Sequence, residues 1–129
     1  MPAGLLRQLD GMAAAKGFTN RSRAVAEMVR AHLVEHHAES GSHEIAGTIT
    51  LVYDHHGRGV QAALTEAQHA HQDIIVSVLH VHLDHTNCME VLAVRGPAAK
   101  IKRFADRAIA TRGIKHGRLT VTTTGRDFK

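Results

Sequence analysis

Tryptophan is absent from this chain of 129 residues, and only one tyrosine and three phenylalanines occur. Its core must therefore be built from Val, Ile, Leu and Ala. Cysteine occurs once, which excludes an intrachain disulfide and gives no sign of an oxidising compartment. No stretch approaches the roughly 20 apolar residues of a membrane span, and the N-terminus lacks the apolar run of a signal peptide. A cytoplasmic protein with no membrane partner is expected. Long runs of like charge are also missing, so nothing points to a disordered tail. The net charge of +4 and pI of about 9.7 are compatible with nucleic acid without demanding it. With 43% apolar residues, one ordinary domain or two very small ones can be filled.

What the chain has in excess is histidine, with 12 copies. Histidine is the commonest metal ligand and the side chain that changes charge near neutral pH. Most of these copies read as solvated surface residues. His55, His56 and His116 belong to that group, and His32, His36 and His37 read as a solvated helix end.

Leu5, Leu6, Leu9, Met12 and Ala13 recur at helical spacing, and Gly17 is a plausible stop. Asn20 is a good N-cap for a second helix with Val25, Met28, Val29 and Leu33 on one face. The small, polar run from Glu39 to His43 reads as a linker. Beyond Ile45 the pattern changes. Residues 48–53 and 74–83 have strand character, and 89–94 and 119–123 follow suit. Val60, Ala63, Leu64 and Ala67 mark a short helix between the first two strands. Gly96-Pro97 opens another, with Ile101, Phe104, Ala105, Ala108 and Ile109 on its inner face. The order β-α-β-β-α-β over 45–124 is the split-βαβ, ferredoxin-like arrangement. The expected class is α+β, with a helix pair over 1–38, a linker over 39–44 and the ferredoxin-like domain over 45–126.

His80 and His82 stand in one strand. Side chains alternate with period two, so both imidazoles point to one face, about 7 Å apart. Val76 and Val78 are expected on that face. If the hairpin loop runs from Leu83 to Asn87, His82 lies opposite Cys88, and cross-strand neighbours are close. A loop one residue shorter would send Cys88 to the other face. Two imidazoles and a thiolate then form a metal site with a position open. His69 and His71, at the end of the preceding helix, and His85 in the hairpin are candidates for that position.

The stretch from His69-Ala-His71 through His80-Val-His82-Leu-Asp-His85-Thr-Asn-Cys88-Met-Glu90 resembles the nickel-responsive repressor family. So do Gly17-Phe-Thr-Asn-Arg-Ser-Arg-Ala-Val and Arg112-Gly-Ile-Lys-His-Gly117, and the likeness covers nearly the whole chain. It implies a ribbon-helix-helix DNA-binding domain joined to a ferredoxin-like, ACT-like regulatory domain, assembled as a homotetramer, a dimer of dimers. It also implies one Ni(II) per subunit in square-planar geometry. The matching ligands are His80, His82 and Cys88 of one chain with His69 of a neighbouring one. Such geometry suits Ni(II) or Cu(II) and disfavours Zn(II). Glu90 shares the strand face of Cys88, where it either orients a ligand imidazole or serves as a solvated or interface carboxylate.

The chain departs from that family at its start. A family strand that reads the DNA major groove has no room in Met1-Pro2-Ala3-Gly4 before the helix begins at Leu5. Either the true start lies upstream, or the chain is a shortened relative that senses nickel without reading DNA. The retained helix start Asn20-Arg21-Ser22, a phosphate-contacting feature in such folds, favours the first. Arg23 stands where the family often has an acidic residue of a second cation site, and Glu27 keeps the other carboxylate. A nickel-responsive repressor of nickel uptake is expected, acting on operator DNA. The alternative is a nickel sensor or storage module without DNA function. An enzyme is not expected, because no general base other than Glu90 and no substrate motif accompany the metal face.

Overall fold

Asn20 caps a helix, as its position in the sequence predicts. In the computed structural model, which describes residues 1–128, the Asn20 side-chain oxygen accepts the backbone N–H of Arg23 at 2.9 Å. That satisfies one of the donors left orphaned at a helix start. The helix it opens is α2 (Arg21–Glu39), and α1 (Ala3–Ala15) precedes it. The end of α1 is a Schellman turn: Phe18 N–H reaches the Ala13 carbonyl at 2.9 Å and Gly17 N–H that of Ala14 at 3.1 Å. Gly17 makes this turn in the left-handed region, φ 82°, where glycine meets no Cβ penalty. The Arg21 guanidinium grips Asp10 with two bonds, at 2.9 and 2.8 Å. The first effect of that hydrogen bonding is to hold the Asp10 carboxyl below the usual range.

The chain divides into two compact units, Met1–Val34 and a second that begins at Glu35. In the first, Leu9, Ala13 and Ala24 are buried, while Leu5, Val25, Val29 and Leu33 stay exposed. The apolar faces are thus wider than the helix pair covers by itself.

The second unit contains β1 (Glu44–Asp54), α3 (Val60–Ala70), β2 (Ile75–His82), β3 (Asn87–Pro97), α4 (Ala98–Ala110) and β4 (Ile114–Thr122). The strands form one sheet in the order β2-β3-β1-β4, every neighbouring pair antiparallel. This is the expected α+β, split-βαβ topology. Alternate residues of β1 (Ile45, Ile49, Leu51 and Tyr53) are buried with Cys88, Leu92 and Val94 of β3. Two helices contribute to that core. Val60 and Leu64 come from α3, and Ile101, Phe104, Ala105 and Ala108 come from the strongly amphipathic α4. Among the described residues, no helix is long and apolar enough to cross a membrane.

Two strands start well before their sequence signals. β1 starts at Glu44 and β4 at Ile114, through Ala46-Gly47 and Lys115-His116-Gly117, residues of weak strand preference. Pairing supplies what propensity does not: Gly47 is flanked by Val94 and Val121, and Gly117 sits opposite Leu51. One expectation fails. A bulge between Ile75 and Ser77 inserts Val76 into β2, and Val76 lines a surface with Ala93, Arg95 and Thr120. Counting back from His80 by twos places Val76 with the histidines, but an inserted residue reverses the alternation beyond it. Val78 keeps its expected place, opposite Leu92.

Gly113, between α4 and β4, has φ 99°, and a Cβ there would stand 2.2 Å from Val60 Cγ2. Gly113→Ala should therefore destabilise the protein by about 2–5 kcal/mol, adding left-handed strain to overpacking. Urea unfolding checks this as a lower midpoint at constant slope, and an unmoved midpoint contradicts it.

Candidate metal centre

The β2–β3 hairpin sets the register on which the site depends. Leu83 N–H bonds to the Asn87 carbonyl at 2.9 Å, and the Asp84 carboxylate accepts the N–H groups of Thr86 and Asn87 at 2.8 and 2.7 Å. The turn thus spans Leu83 to Asn87, and His82 pairs with Cys88 and His80 with Glu90. Both imidazoles lie on the face shared by Cys88 and Glu90, at the sheet edge formed by β2.

Cys88 is fully buried and unbridged. Its Sγ lies 3.4 Å from His82 Nδ1 and 3.4 Å from His55 Nδ1. Sulfur and nitrogen ligands of one ion stand about 3.1 Å apart at a right angle and about 3.6 Å apart at a tetrahedral angle, given ordinary bond lengths. The observed spacing falls between these values, so the donors need little movement to bind one ion. The rings of His80 and His82 are 5.3 Å apart, and those of His55 and His82 5.2 Å. The donor atoms of His55, His80, His82 and Cys88 all lie within 4.8 Å of one another.

His55 is the residue that sequence reasoning set aside as surface. It follows the end of β1, whose Tyr53 pairs with Cys88. Its backbone N–H donates to the Thr86 carbonyl at 2.6 Å, so the β1–α3 turn is fastened to the hairpin turn. The only signal in the sequence is positional. In a split-βαβ sheet β1 neighbours β3, and a histidine just past the end of β1 lands beside the residue that opens β3.

Glu90 is the one buried charged side chain among the described residues, 8% exposed. Its Oε1 lies 3.7 Å from His80 Nδ1, and its Oε2 accepts Gln68 Nε2 from α3 at 3.0 Å. A buried carboxylate needs such partners to offset its lost hydration. Tyr53 packs edge-on against the His80 ring at 6.2 Å. Burial, and then the charge of Glu90, push the Tyr53 hydroxyl above its ordinary range.

The other candidates sit elsewhere. His69 is exposed on α3, its Nδ1 3.2 Å from Gln72 Nε2. It lines a surface groove with Ile75, Val76, Ser77 and Val78, and its own chain does not bring it to Cys88. His71 donates to or accepts nothing from the cluster. Its Nδ1 bonds to the Ala67 carbonyl at 2.8 Å, and its ring lies 4.7 Å from that of Phe104. His85 is exposed, 6.1 Å from the His56 ring. Of the phosphate-contact candidates, Asn20 spends its side chain on the cap and Arg21 on Asp10, while Ser22 is exposed.

Comparison with known proteins identifies a family. Residues 46–122 fit the family described as the NikR C terminal nickel binding domain. A protein of Geobacter sulfurreducens named "Putative nickel-responsive regulator" is 53% identical over 124 residues, 96% of this chain and 89% of that one. A protein of Pyrococcus furiosus with the same name is 47% identical over 128 residues, 99% of this chain and 93% of its own. The chain belongs to the NikR-type family of nickel-responsive regulators.

Proposed function

We propose that this protein is a cytoplasmic, nickel-responsive transcriptional repressor that limits nickel uptake. The observation that carries the reading is the facing pair His82 and Cys88, with His80 on the same face. His80, His82 and Cys88 hold Ni(II), and His69 of the partner subunit completes a square of three nitrogens and one sulfur, with one ion per subunit. Bound nickel favours four-coordinate planar geometry with such donors. Cys88 binds as the thiolate, and Glu90 orients the His80 ring.

A homotetramer built as a dimer of dimers fits two features. His69 stands in a groove at the β2 edge, away from its own chain's cysteine. The open face of the sheet presents Val52, Leu79, Val81, Met89, Val91 and Ala93, with Leu79 59% exposed. A water-facing sheet surface is normally more polar. The exposed faces of α1 and α2 likewise suit a helix pair that shares its core with a second copy, as a ribbon-helix-helix domain does. In the DNA-bound state Asn20 and Ser22 face phosphate at the start of α2. Nickel at the interface then biases DNA binding by its preference for one arrangement of the subunits.

His55 offers a second way to fill the fourth position, within one chain, because its Nδ1 is already 3.4 Å from Cys88 Sγ. The two readings separate by substitution. His69→Ala should weaken nickel binding by more than the roughly 10- to 100-fold that loss of an orienting neighbour costs. His55→Ala should stay within that range, both read by competition with a chelator. The reverse ranking assigns the fourth position to His55.

Cys88→Ala should abolish the thiolate-to-nickel charge-transfer absorption of the loaded protein. A band that survives shows that the cysteine is not a ligand.

DNA function has its own test, a mobility shift on the promoter of a nickel-uptake gene. It is run with this chain and with any in-frame extension ahead of Met1. A shift that requires nickel and weakens with salt is expected. Tight nickel binding with no shift in either form leaves the protein a sensor or store without DNA function.

A further inference from the structure

A second group of donors converges away from Cys88. His37 lies in the last turn of α2, His43 in the turn before β1, and Asp127 in the segment after β4. Their donor atoms all lie within 4.8 Å of one another. His43 Nε2 is 3.0 Å, and His37 Nδ1 3.6 Å, from the same oxygen of Asp127, Oδ2. The two imidazoles stack at 4.2 Å with their planes 14° apart, and the Phe128 ring lies 6.3 Å from that of His37. The three side chains are only 23–29% exposed.

The backbone that carries them is tied down. Ser40 N–H bonds to the His37 carbonyl at 3.1 Å, and His43 N–H to that of Ser40 at 3.1 Å. The start of α4 then seizes the turn, with Ala98 N–H on the His43 carbonyl at 2.9 Å and Ala99 N–H on that of Gly41 at 3.0 Å. Lys102 donates to the Ala38 carbonyl. The run read from sequence as a linker is therefore a fixed turn that presents His43 to His37.

The chemistry of this group favours a cation. Asp127 sets one carboxylate oxygen, Oδ2, against both rings. The neighbouring Arg126 is turned to Glu44, at 3.8 Å. The group then has two nitrogen donors and one anionic oxygen. Nitrogen and oxygen ligands at ordinary bond lengths stand about 2.9 Å apart at a right angle and about 3.4 Å apart at a tetrahedral angle. The observed 3.0 and 3.6 Å contacts are close to these spacings, and a turn of one ring out of the stack lets both lone pairs meet at one ion.

We propose that His37, His43 and Asp127 form a second metal site, one that takes a borderline divalent cation such as Zn(II), Ni(II) or Co(II). Two imidazoles and a carboxylate suit those ions, and no thiolate takes part. The cation staples the segment after β4 to the end of α2 and the turn before β1. This assignment is independent of the Cys88 site.

Equilibrium dialysis of the full chain with Ni(II) counts all bound cation, while the thiolate charge-transfer band counts the Cys88 site alone. The dialysis count should exceed the band's count, and either His43→Ala or Asp127→Asn should weaken one excess equivalent per chain by at least about tenfold. That floor follows because even an orienting neighbour costs 10- to 100-fold. The charge-transfer band should not change. Zn(II) should also slow trypsin cleavage after Arg126 in the parent chain but not in Asp127→Asn, a substitution that keeps side-chain volume. If no cation binds beyond the charge-transfer count, or if both variants keep the full excess, the proposal fails. Were the Cys88 site silent, the His43-dependent equivalent would still register by dialysis, so the two sites stand or fall separately.

Discussion

The carboxylate of Asp84 accepts backbone N–H groups from Thr86 and Asn87, and the Asn87 side chain adds its own amide at 3.1 Å. These bonds, that from Asn87 N–H foremost, keep the Asp84 carboxyl below the usual range, so the turn is anionic and closed at neutral pH. Lys115 of β4 braces it by donating to the Asn87 side-chain carbonyl at 2.6 Å. The number of residues between β2 and β3 follows from this turn, and the register follows from that number. A turn shorter by one residue would bring Cys88 out on the open face and leave His80 and His82 with no sulfur. Every later feature of the site, including the meeting of His55 with the cysteine, presupposes that register.

From the same face a chain of contacts leads into the helix layer. Glu90 faces His80 with one oxygen and holds Gln68 of α3 with the other. His69, the residue after Gln68, points to the outer groove. The His80 ring and the helix turn that carries His69 are thus separated by one buried carboxylate and one amide. Low local dielectric strengthens such contacts and makes a missing partner costly.

Much of this was legible in the sequence, and the reasons are specific. His80-Val-His82 declares its own face because strand alternation is strict, and Asp84, Thr86 and Asn87 declare a turn by their side chains. Gly17 and Asn20 mark one helix end and the next start. What escaped depends on contacts between distant parts of the chain. His55 is an ordinary loop histidine until β1 is known to lie beside β3. His43 reads as a linker residue until Ala98 and Ala99 of α4 bond to its turn, and Asp127 means nothing without His37 and His43. Val76 was misplaced because a bulge is a local insertion that periodicity cannot count. The early starts of β1 and β4 have a related cause, since partners on both sides of β1 hold residues that would not form strands unaided.

The two ways of filling the fourth position at Cys88 differ in what they allow nickel to do. A ligand shifts an equilibrium only by the difference in its affinity for the two states. If His55 supplies the third nitrogen, the site is complete within one chain, nickel binds assembled and separate subunits alike, and it carries no signal about assembly. If His69 of the partner subunit supplies it, the assembled state binds more tightly, and nickel binding and subunit arrangement become linked. His55 has the advantage of proximity, because it is tethered to the same sheet and competes at a high effective concentration. It can lose only on geometry. A planar ion places its four donors at right angles in one plane, and the nitrogens of His55 and His82 both stand 3.4 Å from one sulfur. The fourth position therefore goes to whichever histidine can bring its nitrogen into the plane of the other three donors, and that choice decides whether nickel binding and subunit arrangement are linked.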